Sequence, residues 1–344
     1  MAAMSGHSKN ADEDWDAYWA HGFLTSCANA FSGNYAGRIR ATWDAFFDEL
    51  PAGARLLDIA TGNGAIALLA SEYSLRNDKG FEVHGIDRAR IDPASAWRGD
   101  EAVLQGVRFQ GRISAERLPF DDGFFQAVTG QYALEYTDYP ATIAELGRVI
   151  SPGGSARFVL HHPDSVVINT SREEHSHGQL LLHETRIFDK ARALLGRIVK
   201  ATEDGERGAL ASDSEAQAER DALNQAAARI SAAAEKTTEP DLLTTALGHI
   251  SQAFKAASGP SASKNALDAL SAGEKEVRAN LARLEDLLNA VVDDSKMAKM
   301  RALFEAASFA TVDPVALYFK NENKELLMGW QLDCRRRKSN KPAD

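Results

Sequence analysis

Residues 55–67 read Arg-Leu-Leu-Asp-Ile-Ala-Thr-Gly-Asn-Gly-Ala-Ile-Ala, and this stretch decides the fold. An apolar run from Ala54 to Ala60 has the length and composition of a buried strand. The chain then turns through Thr61-Gly62-Asn63-Gly64, and the apolar run from Ala65 to Tyr73 predicts a helix. Glycines let a backbone bend sharply and let a ligand come close, and the start of a helix offers unpaired N–H groups. The stretch therefore predicts a strand, a turn and a helix that bind a ligand together.

Asp58 narrows the choice of ligand. The spacing Gly62-x-Gly64-x-x-Ala67 also fits dinucleotide-binding proteins. A carboxylate at the end of the strand, beside the turn, would however repel a pyrophosphate. It suits a ligand that carries a cation or an ammonium group.

With these residues in view, the stretch resembles the first motif of the class I S-adenosylmethionine-dependent methyltransferases. Three later segments resemble further motifs of that family, in the family's order. Phe81–Asp87 resembles its second strand, which ends in an acid, and Ala115–Phe120 followed by Asp122–Phe125 resembles the stretch before its fourth strand. Glu145–Gly154 resembles the helix and turn before its fifth strand. The resemblance covers residues 50–163 and, more weakly, the C-terminal end. It implies an α/β fold with a Rossmann-like, seven-stranded, mostly parallel sheet and helices on both faces. It also implies S-adenosyl-L-methionine as the cofactor.

The resemblance further implies a cofactor site at the carboxyl ends of the strands. Asp87, at the tip of the second strand, would accept both hydroxyls of a ribose, and hydrogen bonds to a charged partner contribute about 1.5–3 kcal/mol each. Ser114 stands where the family often has an aspartate near the adenine amino group, and Gln126 stands where it usually has an aspartate in the fourth strand. The predicted cofactor-binding residues are Asp58, Ala60, Thr61, Gly62, Asn63, Gly64, Asp87, Arg88, Ser114, Ala115, Glu116 and Gln131.

Two histidines at the end of the predicted fifth strand, His161 and His162, are candidate general bases. Histidine titrates near neutral pH, and the ligand crevice of an open α/β sheet lies at the carboxyl ends of its strands. Neighbouring strand residues point to opposite faces, so at most one of the pair faces the pocket. Tyr132 is the second candidate, and a structural, hydrogen-bonded histidine is the alternative. A base is needed only when the acceptor must lose a proton, because positioning of the reactants alone can lower the activation barrier by about 7–11 kcal/mol.

Aromatic residues are concentrated in residues 12–50, which we interpret as two or more helices. The segment Tyr35–Leu50 carries Ile39, Trp43, Phe46 and Phe47 on one face, as expected of a helix that packs on a sheet. Trp19 and Tyr35 allow two interpretations, because aromatic side chains dominate buried area but also line lids. We expect residues 1–50 to form a helical lid in which Trp19 and Tyr35 contact the substrate, with core packing as the alternative.

The composition changes over residues 166–295. Between residues 201 and 300 the chain has 24 alanines and one aromatic residue, Phe254. Apolar residues recur at steps of four and three along 243–257 and 267–291, a heptad-like pattern typical of long helices that pack side by side. Ser258–Ser261 separates the two helices. The pattern predicts an antiparallel hairpin or small bundle, which serves either as a cap on the pocket or as a dimerisation arm.

The chain then returns to a sheet pattern, with a helix at Ser295–Ser308 and strands at Val315–Phe319 and Glu325–Asp333. The predicted organisation is a lid at residues 1–50, a cofactor-binding domain built from residues 51–163 and 296–338, and a helical insertion at residues 164–295, between strands five and six.

Composition limits the partners that we expect. The net charge of −10 disfavours nucleic acid as a partner. The sequence has no run of 18 apolar residues, so we expect no membrane span. Two cysteines far apart, Cys27 and Cys334, and a polar N-terminus indicate a cytoplasmic protein. His175, His177 and His183 lack the spacing of a zinc site, so no metal is expected.

The sequence as a whole predicts methyl transfer to a small molecule, at oxygen, nitrogen or carbon. The segment Gly130–Tyr136 lacks the Asn/Asp-Pro-Pro-aromatic motif of enzymes that methylate nucleobase or amide nitrogen. Two alternatives stay open: a cofactor-binding scaffold that works through its helical arm, and a nicotinamide-dependent oxidoreductase.

Overall fold

The apolar run before the glycine turn is the first strand of a large sheet, as its composition predicts. A computed structural model describes residues 9–26, 33–257, 263–321 and 324–338. Cys27 and the predicted helix break at Ser258–Ser261 lie outside these residues. The chain divides into two compact units, one of residues 1–169 and 286–344 and the other of residues 170–285.

The first unit contains the sheet, whose strands follow the order β3-β2-β1-β4-β5-β8-β6, with β7 also paired to β8. Strands β1 to β5 pair in parallel, and β8 runs antiparallel to β5. The strands are β1 Arg55–Ile59, β2 Glu82–Asp87, β3 Val107–Gly111, β4 Phe125–Gln131, β5 Ile150–Leu160, β6 Phe309–Thr311, β7 Val315–Asn321 and β8 Lys324–Arg336. This arrangement confirms the predicted Rossmann-like α/β fold class.

The sheet has eight strands, whereas the sequence predicted seven. Strand β8 is long enough to pair with two strands along one edge, β7 over its first part and β6 near its end. The additional strand, β6, is three residues long, too short to show a period in the sequence.

Helices cover both faces of the sheet, and the helices of the chain are α1 Lys9–Ala20, α2 Gly37–Asp48, α3 Ala65–Arg76, α4 Pro93–Ala96, α5 Glu101–Gln105, α6 Tyr139–Val149, α7 Val166–Gln179, α8 Ile187–Glu203, α9 Ser214–Ala234, α10 Asp241–Ala256, α11 Ser263–Ala290 and α12 Asp294–Ala306. On one face, α2 and α3 pack against the sheet, and the predicted apolar stripe Ile39, Trp43, Phe46 and Phe47 is buried there. On the other face, α6 and α12 contribute Leu146 and Phe304 to a second core. The two cores hold the strand ends, and therefore the glycine turn, in fixed register.

The second unit is helical and has its own apolar core. Leu243 and Ile250 of α10 and Leu270 and Val277 of α11 are buried in it, which agrees with the predicted heptad-like stripes. Small residues such as Ala246 let neighbouring helices come close. In the described part of the chain, no helix is both long enough and apolar enough to cross a membrane.

Candidate active site

The glycine turn forms a tight, left-handed connection between β1 and α3. Gly62 and Gly64 have φ values of 55° and 96°, and Ala60 just before them has a φ of 45°. Gly64 caps α3 in this conformation, and its N–H donates to the carbonyl of Thr61 at 2.9 Å. Side chains other than glycine rarely adopt these angles, and the two glycines leave the backbone of the turn without a side chain of its own to cover it.

A buried carboxylate supports the turn from the tip of β2. Asp87 accepts a hydrogen bond from the backbone N–H of Gly62 at 2.8 Å and another from Ala89 at 2.7 Å. Burial raises the pKa of Asp87 to about 6, although these two bonds oppose the shift. Each carboxylate oxygen can accept further hydrogen bonds. Asp87 therefore fixes the turn and keeps capacity for a ligand hydroxyl.

The second carboxylate, Asp58, faces inward. It accepts hydrogen bonds from the hydroxyls of Thr61 at 2.5 Å and Thr129 at 2.8 Å, and it is only 1% exposed. Burial raises the pKa of Asp58 to about 7. In this geometry Asp58 joins the turn to β4.

The last turn of α1 lies on the glycine turn. A Cβ atom at Gly62 would come within 2.4 Å of the indole of Trp19. The side-chain amide of Asn63 donates to the carbonyls of Trp19 at 3.0 Å and Phe23 at 2.8 Å, and its oxygen accepts from the N–H of Asp92 at 2.8 Å. Asn63, a predicted cofactor residue, thus holds the end of α1 in place.

Further aromatic rings extend from Trp19 across the site. Trp15 stacks on Trp19 with 6.1 Å between ring centroids, and Tyr18 meets Trp19 edge-on at 5.0 Å. Tyr18 also contacts Phe23 at 5.2 Å. We call Trp15, Tyr18, Trp19 and Phe23 the aromatic cover. Its other end is at Tyr136, whose ring meets Trp15 edge-on at 5.7 Å.

Gln131, at the end of β4, has an unused hydrogen-bond donor. Its side-chain oxygen accepts from the indole N–H of Trp43 at 2.7 Å. Because an indole can only donate, this bond fixes the orientation of the amide. The buried Nε2 of Gln131 has no hydrogen-bond partner among the residues that the structure describes. The other predicted substrate residue, Tyr35, is buried in the same apolar core as Trp43.

The predicted residues Ser114, Ala115 and Glu116 form one loop. The carboxylate of Glu116 accepts from the hydroxyl of Ser114 and from the backbone N–H of Asp138, the latter at 3.0 Å, and Ala115 is buried. The charge of the neighbouring Arg88 acts on both Asp87 and Glu116. The loop is therefore attached to the start of α6 and linked electrostatically to the tip of β2.

His161 is enclosed by other side chains. Its ring stacks on that of Tyr132 at 4.2 Å and 3° between planes, and its Nε2 lies 3.1 Å from the hydroxyl of Tyr136. Its backbone N–H donates to the carboxylate of Glu135 at 2.8 Å. Burial lowers the pKa of His161 to about 3, so the ring is neutral at pH 7. His161 contacts Tyr136, whose ring in turn contacts Trp15 of the aromatic cover.

The other two predicted catalytic residues have separate surroundings. The hydroxyl of Tyr132 donates to the carbonyl of Met328 at 2.9 Å, and its backbone has a φ of 53°. The ring of His162 lies 4.2 Å from that of Trp330, and its Nδ1 accepts from the N–H of Asp164 at 2.9 Å. Both histidines follow the last residue of β5, Leu160, and they contact different residues.

Two residues next to the histidines were not among the predicted site residues. Tyr136 and Glu135 lie in the short 3-10 turn Leu134–Tyr136, which has no period to read in a sequence. Burial raises the pKa of Glu135 to about 7, and its Oε2 has no hydrogen-bond partner within the described ranges. A buried acid at the end of a strand is the signal that could have singled it out. No group of three or more described residues could hold a metal ion.

Comparison with known proteins identifies the segment that carries the glycine turn. The family described as "Methyltransferase domain" matches residues 56–154. A demethylmenaquinone methyltransferase of Thermus thermophilus is 43% identical over 101 residues, which are 29% of this chain and 44% of that protein. A ubiquinone/menaquinone biosynthesis C-methyltransferase UbiE of Xanthomonas oryzae pv. oryzae is 29% identical over 125 residues, which are 35% of this chain and 49% of that protein. The chain thus spans less than half the length of these relatives.

A solved structure of an S-adenosylmethionine-dependent methyltransferase from Methanosarcina mazei is 12% identical, with a TM-score of 0.38 over 86% of this chain and 98% of that chain.

Proposed function

We propose that this chain, whose residues 56–154 match the family described as "Methyltransferase domain", transfers a methyl group from S-adenosylmethionine to a small planar molecule. One observation carries the proposal: the left-handed turn of Gly62 and Gly64 stands directly above the carboxylate of Asp87. Such a turn gives close access to backbone N–H groups, and the acid beside it can accept hydroxyl groups.

The residues around the turn fit S-adenosylmethionine. When bound, this cofactor supplies an activated methyl group on a sulfonium, so the protein mainly positions and shields the acceptor. We propose that the backbone of Gly62 and Gly64 holds it, that Asp87 accepts its ribose hydroxyls, and that the unused amide donor of Gln131 takes one of its oxygens.

The contact between Trp19 and Gly62 supports a role for α1 as a lid. Only a residue without a Cβ allows a flat ring to lie on this backbone, and the ring that lies there belongs to the protein itself. A cofactor that uses the Gly62 backbone needs the same surface. We therefore propose that the aromatic cover shifts when the cofactor binds and then forms one wall of the acceptor site.

The acceptor that this wall fits best is a planar, electron-rich ring. Trp15 and Trp19 present flat apolar faces, and aromatic rings pack on one another with about 0.5–1.5 kcal/mol beyond the burial of their area. Two of the relatives are named for methylation in quinone biosynthesis, and one name specifies carbon. Both observations support a ring carbon of a quinol-like molecule as the methyl acceptor.

Turnover of a radiolabelled methyl group tests the proposal. The full chain would be incubated with S-[methyl-³H]adenosylmethionine and a set of naphthoquinols, phenols and aliphatic alcohols. We expect label in the naphthoquinols and at least a tenfold loss in Asp87→Asn, because an amide accepts fewer hydrogen bonds than a carboxylate. Asp78→Asn, at an exposed position, is the matched control. Label confined to the aliphatic alcohols would contradict the proposed acceptor.

For residues 164–295, the predicted roles of cap and dimerisation arm differ in an observable way. Both roles stay predictions. A stable dimer in sedimentation of the full chain at micromolar concentration would support the arm, and a monomer would rule it out.

A further inference from the structure

We propose that Trp43 is a positioning residue for the cofactor. Its indole N–H orients the side-chain amide of Gln131, so that Nε2 of Gln131 donates a hydrogen bond to the carboxylate at the amino-acid end of S-adenosylmethionine. This inference rests on the proposed function and specifies which oxygen of the cofactor the Gln131 amide binds. It also gives Trp43 a role beyond the core packing that the apolar stripe of α2 predicts.

The indole of Trp43 is held rigidly in the core between α2 and the sheet. It is fully buried, stacks on Phe47 with 6.2 Å between ring centroids and meets Phe46 edge-on at 6.3 Å. One residue earlier in α2, the carbonyl of Thr42 accepts a hydrogen bond from the guanidinium of Arg157 in β5 at 2.6 Å. Both the ring and the helix turn that carries it are therefore fixed relative to β5.

This rigid indole determines how the Gln131 amide is oriented. The Nε1–H of Trp43 donates to Oε1 of Gln131 at 2.7 Å. If the amide were turned over, its NH₂ group would face the indole N–H, and two donors cannot form a hydrogen bond. Nε2 is buried and has no hydrogen-bond partner among the residues that the structure describes. Because buried donors in proteins are almost always paired, an unpaired donor at the end of a strand indicates a ligand that accepts from it.

The order of the strands indicates which end of the cofactor lies at Gln131. Strand β1, which leads into the glycine turn, lies between β2 and β4 in the sheet. Asp87 ends β2 and Gln131 ends β4, so the two residues lie on opposite sides of β1. Neighbouring strands are about 4.8 Å apart, which separates these two strand ends by about 10 Å. A cofactor whose ribose binds Asp87 and that extends across the turn places its opposite end, the amino acid, beside Gln131.

The chemistry of the amide selects the carboxylate of that amino acid. The amino-acid end carries an ammonium group, which only donates, and a carboxylate, which only accepts. Nε2 of Gln131 can only donate, so it binds the carboxylate and not the ammonium group. A hydrogen bond to a charged partner is also stronger than one between neutral groups. Without the indole N–H of Trp43, the amide would be free to turn over and present its oxygen, which repels a carboxylate.

Paired ligands test the inference on the full chain. S-adenosylhomocysteine and 5′-methylthioadenosine share the adenosine and the sulfur, but only the former carries the amino acid. Calorimetric titration with S-adenosylhomocysteine, and its displacement by 5′-methylthioadenosine, give the ratio of the two dissociation constants, which a small loss of folded protein leaves unchanged. We expect Gln131→Leu to weaken S-adenosylhomocysteine by about tenfold and 5′-methylthioadenosine by less than about twofold, because one hydrogen bond to a charged group is lost.

Two further variants separate orientation of the amide from packing. Trp43→Phe keeps an aromatic ring but removes the N–H, so S-adenosylhomocysteine should weaken by about threefold or more while 5′-methylthioadenosine is unaffected. Added to Gln131→Leu, the same change should cause no further loss, because the amide is already absent. Gln131→Glu keeps the bond from Trp43 and the shape of the side chain but presents an oxygen in place of Nε2. It should therefore weaken S-adenosylhomocysteine more than Gln131→Leu does.

The matched control is Trp97→Phe, which also removes an indole N–H. That N–H donates to the carbonyl of Asp100 at 2.8 Å, and Trp97 packs against the same core as Trp43. This variant should keep the wild-type ratio. A ratio that is unchanged in Gln131→Leu, or that Trp43→Phe and Trp97→Phe change equally, would overturn the inference alone. Absence of binding of both ligands to the wild type would instead overturn the proposed function, and with it this inference.

Discussion

The indole ring of Trp19 lies directly on the backbone of Gly62, so closely that a Cβ atom at this position would come within 2.4 Å of two ring carbons. The two residues belong to different helix and turn elements, and Asn63 holds them together through hydrogen bonds to the carbonyls of Trp19 and Phe23. The contact connects the N-terminal helix to the place where the cofactor is proposed to bind. Under this proposal, the binding of the cofactor and the position of α1 depend on each other.

Substitution of Gly62 by alanine should damage both stability and cofactor binding. The left-handed backbone costs an alanine about 1–2 kcal/mol, and its Cβ would also clash with Trp19. Gly53→Ala is the matched control, because Gly53 has a φ of 72° but nothing within 4 Å of a Cβ. We expect Gly62→Ala to lose more unfolding free energy in urea than Gly53→Ala. Adding Trp19→Ala should recover the difference, and equal losses in the two single variants would show that the Trp19 contact is unimportant.

Removal of the indole alone should open the turn. In Trp19→Ala the backbone of Gly62 is no longer covered, so S-adenosylhomocysteine should associate several-fold faster in stopped-flow fluorescence, with the remaining tryptophans as the signal. Phe23→Ala, in the same aromatic cover but without a described contact to Gly62, should leave the association rate close to that of the wild type. An unchanged rate in Trp19→Ala would contradict a lid role for α1.

Replacement of Glu135 by glutamine should change how stability depends on pH. Burial raises the pKa of Glu135 to about 7 in the folded protein, from about 4.3 in an unfolded chain. The folded state therefore binds this proton more tightly, and the stabilisation is complete below about pH 4 and lost as the pH rises to about 7. Glu135→Gln removes that loss, so its stability relative to the wild type should be higher at pH 8 than at pH 5 by about 1 kcal/mol or more.

Urea unfolding at the two pH values measures this difference, with Glu305→Gln at an exposed site of α12 as the control. Asp58 and Asp87 also have raised pKa values and contribute in the same direction, so the Glu135→Gln variant should still lose some stability as the pH rises. A relative stability that is identical at both pH values would show that Glu135 is not buried as an acid.

Short-range patterns allowed the central part of the fold to be predicted. The strand, turn and helix of residues 55–76 and the acid at the end of β2 depend on apolar runs, glycine and strand length, all of which are local. The apolar stripe of α2 that packs on the sheet could be predicted as well, because helical periodicity shows which side chains are buried. These elements carry the methyltransferase resemblance.

Contacts between distant segments could not be predicted in the same way. The packing of Trp19 on Gly62 joins residues that no period relates, so the sequence could only offer a lid or a core as alternatives. The hydrogen bond between Tyr136 and His161 joins the 3-10 turn after β4 to the end of β5, and the sequence gives no sign of this contact. Strand β6 escaped prediction because its three residues pair with the end of a strand much longer than predicted.

Calorimetric titration of the full chain with S-adenosylhomocysteine, and separately with NAD, tests the central claim most directly. The glycine turn above Asp87 should bind S-adenosylhomocysteine with one site per chain and should give no heat with NAD. Binding of NAD with no binding of S-adenosylhomocysteine would contradict the assignment of this turn to a methyl-transfer cofactor.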